Sequence, residues 1–116
     1  MWVLLLAGFM AAAPSTLETA RDAEDRPALE KMVADYSAAA AKAPKDAEAQ
    51  YRGALACSYL AEIAIEQRDR KLGQQTAERG MVFGERAITL KPDSAEYYRV
   101  LGTLYGQAIK IGRAHV

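Results

Sequence analysis

A spacing of four, three and five residues occurs twice in this chain, and each time the last residue is a proline. The first three positions of each set fall on one face of a helix, because side chains three and four residues apart are neighbours there. The proline then ends the helix, since its ring removes a backbone donor and clashes with the preceding turn. This repeated unit predicts an all-α stacked array. The two sets are Met32, Tyr36, Ala39, Pro44 and Gly80, Gly84, Ala87, Pro92.

The rest of the chain also reads as helix. Alanine is frequent while valine, isoleucine and threonine are sparse, which favours helix over strand. Asp46 is a predicted N-cap, and capping boxes are predicted to begin at Ser15 and Asp93. The apolar periodicity and these signals predict five helices, at about 16–25, 27–43, 47–68, 72–90 and 95–111.

The first 13 residues carry no charge and include the apolar run from Trp2 to Ala7. This run is shorter than the ~20 residues that a membrane-spanning helix needs, and it fits the apolar region of a signal peptide. Residues 1–15 are therefore predicted to be a signal peptide, which implies a periplasmic or secreted protein with a helical domain at 16–116. An amphipathic or buried N-terminal helix and an uncleaved membrane anchor are the alternatives.

Charge and composition argue against several classes of function. Fifteen basic residues balance 15 acidic ones and no Lys/Arg cluster stands out, so no nucleic-acid partner is expected. Cys57 is the only cysteine and His115 the only histidine, which leaves neither a disulfide nor a cysteine-rich metal site. No Gly-rich phosphate loop and no zinc-type spacing occurs. We predict a chain that is not an enzyme, with no cofactor and no metal, and Cys57 as a small buried residue.

Glycines inside the fourth helix indicate close helix packing. Gly80 and Gly84 each cost about 0.5–1 kcal/mol relative to alanine in a helix interior. A neighbouring helix that approaches closely at these points would compensate for that cost. The full set of predicted helix-packing residues is Met32, Tyr36, Ala39, Gly80, Gly84, Ala87, Leu101, Gly102 and Tyr105.

Four stretches resemble the helices of a tetratricopeptide repeat. Ala95-Glu96-x-Tyr98-x2-Leu101-Gly102-x2-Tyr105 resembles its first helix, and Ala47-Glu48-Ala49-x-Tyr51-x2-Ala54 resembles a looser version. Both proline-ended sets resemble its second helix. The resemblance covers roughly residues 29–108. The prolines are 48 residues apart, whereas the family repeats about every 34, so longer helices or a longer loop are expected. Such long-helix variants resemble the repeat region of the regulator of microtubule dynamics family.

The resemblance implies an antiparallel helix-pair solenoid whose inner groove binds a peptide or partner protein. Terminal helices of such arrays normally need a polar cap, and the fifth helix has none. The last repeat therefore looks incomplete. We expect that the native chain continues, that it forms a homo-oligomer through this helix, or that the N-terminal segment folds over it.

The leading functional hypothesis is a protein–protein interaction scaffold. Arg52 and Arg99 lie at nearly matching repeat positions and would hold an acidic peptide or a C-terminal carboxylate. One alternative is a small-molecule carrier with a closed apolar cavity lined by Tyr51, Tyr59 and Tyr105. Another is a structural segment that polymerises through its uncovered end. The predicted groove residues are Arg52, Ser58 and Glu62 on the third helix and Arg99, Thr103 and Gln107 on the fifth.

Overall fold

A computed structural model describes residues 16–113, which form five helices and no strand within that range. The all-α prediction is confirmed, and the helix ends lie within three residues of the predicted ones. The predicted signal peptide at 1–15 lies outside the described residues. None of the five helices is long and apolar enough to cross a membrane. The helices are α1 (Leu17–Asp22), α2 (Arg26–Lys42), α3 (Ala47–Glu66), α4 (Arg70–Leu90) and α5 (Ala95–Arg113).

Aspartates cap the three middle helices. Asp46 was predicted as an N-cap, and its carboxylate accepts hydrogen bonds from the amides of Glu48 (3.0 Å) and Ala49 (3.3 Å). Asp25 and Asp69 cap α2 and α4 in the same way. Each cap satisfies an amide that has no partner inside its own helix.

The two predicted capping boxes are wrong by one residue. Thr16, not Ser15, caps α1 by accepting a hydrogen bond from the Thr19 amide at 3.0 Å. Ser94, not Asp93, caps α5, and its hydroxyl accepts from the Tyr97 amide at 3.3 Å. The shift at α5 leaves Glu96 available for a contact between helices.

Helix α3 is the centre of the packing, because it contacts all four other helices. Helices α1 and α5 flank it, while α2 and α4 pack on it as its sequence neighbours. Most side chains of α3 are consequently buried, including Cys57 and Leu60. Helices α1 and α5 each lie next to α3.

Glycines of α4 allow α3 and α5 to approach closely. A Cβ placed on Gly80 would lie 2.6 Å from Cδ2 of Leu104 and 2.8 Å from Cβ of Cys57. A Cβ on Gly84 would lie 3.1 Å from Cδ1 of Leu101. Ala87, on the same face, is fully buried. The predicted close packing along α4 is therefore confirmed, and it involves the helices on both sides.

The packing role predicted for two other small residues is wrong. A Cβ on Gly102 would meet no atom within 4 Å, and Ala39 is exposed. Tyr105 is 38% exposed, and its hydroxyl donates to Glu85 of α4 at 2.7 Å. Met32 and Tyr36 pack against the core as predicted, from a half-buried position.

One type of turn joins α1 to α2 and again α3 to α4. Glu24 and Arg68 take the left-handed backbone conformation, with φ of 51° and 61°. Arg26, the first residue of α2, links the two turns. Its guanidinium donates to Gln67 Oε1 and to Asp69 Oδ2, both at 2.8 Å. The second turn is thereby attached to the beginning of α2.

Gln50 is a fully buried polar residue that the sequence did not single out. Its amide nitrogen donates to the carbonyl oxygens of Ala40 (2.9 Å) and Ala43 (3.0 Å) at the end of α2. Helix ends leave carbonyl groups without intrahelical partners. Gln50 therefore completes α2 and ties its end to α3.

Candidate interaction face

Helices α1, α3 and α5 present a surface of charged and aromatic side chains, which we call the odd-helix face. Bonds between the helices define it: Tyr59 of α3 donates to Glu18 of α1 at 3.4 Å, and Tyr51 of α3 donates to Glu96 of α5 at 2.7 Å. Burial raises the pKa of both tyrosines, and Arg99 lies close enough for its positive charge to oppose that rise. The face consists of Glu18, Arg21, Glu48, Tyr51, Arg52, Tyr59, Glu62, Glu96, Tyr97, Arg99 and Thr103.

A reciprocal pair of tyrosine–glutamate bonds joins α3 to α5. Tyr51 donates to Glu96, while Tyr97 of α5 donates to Glu48 of α3 at 3.5 Å. The two tyrosine rings stack between these bonds, with centroids 4.9 Å apart and planes 20° apart. Glu48 and Glu96 are 48 residues apart and each lies four residues after its repeat proline. Each repeat thus supplies the acceptor for the tyrosine of the other.

Each of these glutamates also binds an arginine on its own helix. Arg99 donates two hydrogen bonds to Glu96, from Nε and from Nη2, both at 2.7 Å. These bonds, followed by that from Tyr51, lower the pKa of Glu96 from 4.5 to about 2. Arg52 donates to Glu48 through Nε alone, at 2.9 Å. Both arginines are exposed, as predicted, but both carry a carboxylate partner.

The part of the face next to α1 has a different composition. The guanidinium of Arg21 lies over the ring of Tyr59, 4.8 Å from its centroid, in a cation–π contact. Burial, and next the charge of Glu18, raise the pKa of Tyr59, so its hydroxyl stays protonated and donates. Glu62 is exposed close by. The hydrogen bond to Asp22 raises the pKa of Arg21, and the negative charge of Glu62 adds to this effect. Arginine and carboxylate therefore alternate here as well.

Two of the six predicted groove residues do not line the face. Ser58 is buried, and its hydroxyl donates to the Leu55 carbonyl at 2.7 Å. Gln107 is half-buried and donates to the Ser58 carbonyl at 2.9 Å. Gln107 thereby ties α5 to α3, whereas the Ser58 hydroxyl bonds within α3. Thr103 is exposed, and its hydroxyl donates to the Arg99 carbonyl at 3.1 Å.

Sequence reasoning included Glu62 in the face but missed the two glutamates that bind the arginines, Glu48 and Glu96. Glu48 precedes Arg52 by four residues and Glu96 precedes Arg99 by three, spacings at which opposite charges pair on a helix. This signal was present in the sequence. The contacts of Glu18, Arg21 and Tyr97 across helices had no comparable local signal.

The three tyrosines of the carrier hypothesis line neither of the two cavities described below. Tyr51 and Tyr59 belong to the odd-helix face, whereas Tyr105 bonds α4. One open cavity of about 730 Å³ lies instead where α3, α4 and α5 meet at one end of the molecule. Its lining residues are Ile65, Arg68, Arg70, Lys71, Gln74, Lys110 and Ile111. A second, of similar volume, lies between α2 and α4.

Cys57 is fully buried, and burial raises the pKa of its thiol to about 12. It is therefore a protonated core residue at neutral pH. Within residues 16–113, no group of three or more His, Cys, Asp and Glu side chains is placed to hold a metal ion.

Comparison of the chain with models of known protein families, with curated proteins and with solved structures gives no match. The resemblance to the tetratricopeptide repeat therefore rests on the residues quoted above and remains a prediction.

Proposed function

We propose that this chain is a protein–protein interaction scaffold, a short array of tetratricopeptide-like helix pairs that binds a peptide or partner protein on its odd-helix face. The observation that supports it best is the lateral packing of α3 against both α1 and α5. Side-by-side first helices would form the inner surface of a solenoid, and such surfaces serve as extended binding sites.

The chemistry of the face suits a peptide with a carboxylate. Arg52 is 46% exposed and uses only Nε for Glu48, so its two terminal NH2 groups can donate to a ligand. Arg99 is 59% exposed and has Nη1 remaining. Glu96 holds the guanidinium of Arg99 through two bonds and Glu48 holds that of Arg52 through one, and a guanidinium that is already held loses less entropy when it binds a ligand. The same glutamates offset the positive charge, so we expect selective rather than general binding of anions.

Panning of a random peptide library on the immobilised wild-type chain tests this proposal. The selected peptides are then measured by fluorescence polarisation on Arg52→Ala/Arg99→Ala and on the control Arg79→Ala/Arg86→Ala. The control removes the same charge from exposed positions of α4. We expect at least tenfold weaker binding to the first variant and unchanged binding to the control. Equal binding to both variants would reject this face, and a library without enriched peptides would reject the scaffold function.

Carriage of a small molecule is a second candidate function, favoured by the cavity at the end of α3 and α5. Ile65 and Ile111 supply apolar surface there, and Arg68, Lys71 and Lys110 supply positive charge. No carboxylate occurs among the described residues that line it. These features suit an anion with an apolar chain. Calorimetry with decanoate should show binding that Lys71→Ala/Lys110→Ala weakens; equal heats for both proteins would dismiss this candidate.

We also propose export of the chain, on the sequence of residues 1–15 alone. Mass spectrometry of the protein recovered outside the cytoplasm should show cleavage after Ala13 or Ser15. Recovery of only full-length protein from the cytoplasm would contradict export.

A further inference from the structure

Helix α5 carries a stripe of uncovered apolar surface. Tyr98, Tyr105 and Ile109 are 51%, 38% and 55% exposed, whereas Val100, Leu104 and Ile111 of the same helix are buried. Together with Gly102 they follow a spacing of four, three and four, which places them on one face of the helix. We call these four residues the α5 stripe. Its three large residues are exposed on one face of the helix, and clustered apolar surface of this kind marks interaction sites.

Glycine usage distinguishes this helix from α3 and α4. A Cβ on Gly53, Gly73, Gly80 or Gly84 would meet another side chain at 2.6–3.2 Å, so each of these glycines makes room for a neighbour. A Cβ on Gly102, Gly106 or Gly112 of α5 would meet nothing within 4 Å. These three lie on or beside the α5 stripe and leave it accessible to an approaching helix.

The internal repeat shows what kind of element such a face receives. Three residues of α3 contact glycines of α4, and the residue 48 positions after each of them lies on or beside the α5 stripe. The pairs are Ala54 and Gly102, Cys57 and Tyr105, and Ala64 and Gly112. The α5 stripe therefore lies at the positions of α5 that correspond, by the 48-residue repeat, to the positions through which α3 contacts the antiparallel helix α4.

We infer that the α5 stripe is the contact face of a homodimer, in which α5 of a second copy packs antiparallel on it about a two-fold axis. A two-fold contact requires a self-complementary surface. With the axis between Gly102 and Tyr105, Tyr98 faces Ile109 of the second copy. Gly102 then faces Tyr105 of the second copy, so the glycine makes room for the tyrosine ring. A helix that packs on this face must be amphipathic and must have a small residue opposite Tyr105. The α5 helix of a second copy meets both conditions.

The dimer is weak because the stripe is small. A standard interface buries roughly 800 Å² on each partner, and the exposed parts of three side chains supply less. The dissociation constant should accordingly be on the order of micromolar. This inference is independent of the odd-helix face and of the scaffold proposal.

Sedimentation equilibrium of the full chain from about 1 to 200 µM, a range set by that expected affinity, tests the inference. The wild type should pass from monomer to dimer and go no further. Ile109→Lys and Tyr98→Lys should weaken the dimer at least tenfold. Val82→Lys is the matched control, because Val82 is 46% exposed on α4 and lies outside the stripe. It should dimerise like the wild type.

Gly102→Leu separates dimerisation from folding. A Cβ at this position meets nothing within 4 Å and leucine favours helix over glycine, so the thermal midpoint should hold or rise while the dimer weakens at least tenfold. A wild type that stays monomeric at 200 µM overturns the inference. So does an oligomer that survives Ile109→Lys unchanged, since the association would then use other residues.

Discussion

Replacing Gly80 and Gly102 by alanine, one at a time, should change stability in opposite directions. Either change improves intrinsic helix propensity by about 1 kcal/mol. At Gly80, however, the new methyl carbon would lie 2.6 Å from Leu104 and 2.8 Å from Cys57, whereas carbon atoms prefer about 3.5–4.0 Å. The Cys57 atom is a Cβ, which no rotamer change can move, so α3 and α4 must separate.

Overpacking of this kind costs typically 1–3 kcal/mol, and sometimes more when backbones must shift. Because the backbones of α3 and α4 must separate, we take the upper end of that range, about 3 kcal/mol. After the gain of about 1 kcal/mol in propensity, Gly80→Ala should lose about 2 kcal/mol, or about 8 °C in the thermal midpoint of a chain this size. Gly102→Ala meets nothing and should gain about 0.5–1 kcal/mol. Urea and thermal unfolding followed by circular dichroism, at a concentration at which the chain is monomeric, measure both. A Gly80→Ala protein as stable as the wild type would refute the close-packing argument.

Three further predictions follow from side chains on the face, in the core and in the turns. The lowered pKa of Glu96 means that its contribution to stability is complete above pH 4.5 and is lost as the pH falls toward 2. In Glu96→Gln, the free energy of unfolding should therefore depend less on pH between these values. The buried thiol of Cys57 should react with iodoacetamide only through opening of the fold, so Gly80→Ala should accelerate labelling, and equally fast labelling of both native proteins would contradict its burial. Arg26→Ala removes the bonds to Gln67 and Asp69 and should lower stability only slightly, since the pair is partly exposed, with faster amide exchange at the α3–α4 turn; unchanged exchange would show that the link does not hold the turn.

The helices could be predicted from the sequence because their signals are local. Proline stops, polar caps and three–four periodicity act within one or two turns, and the structure has helices where these signals lie. The position of a helix in the stack is not local information. Gly84 and Gly102 both lie in the middle of a helix. A Cβ on Gly84 would contact α3 and α5, whereas a Cβ on Gly102 would contact no other helix.

The candidate site was predicted in part, because some of its features depend on local sequence and others on the packing of helices. Exposure of Arg52 and Arg99 follows from their place on the helix, and their pairing with glutamates was readable from spacing. Ser58 was misplaced because α3 contacts every other helix, which a single-helix view cannot reveal. The reciprocal bonds of Tyr51 and Tyr97 depend on the distance between two helices, which the sequence alone did not specify.

Because α3 touches each of the other four helices, this short array should unfold as one unit rather than repeat by repeat. In longer arrays many units share no contact with the middle one, so terminal units can melt while the middle persists. Here detachment of any one segment removes support from the same central element. Denaturation should thus be a single cooperative event, with equal exchange free energies for amides throughout α3 and lower values confined to α1 and the last turn of α5.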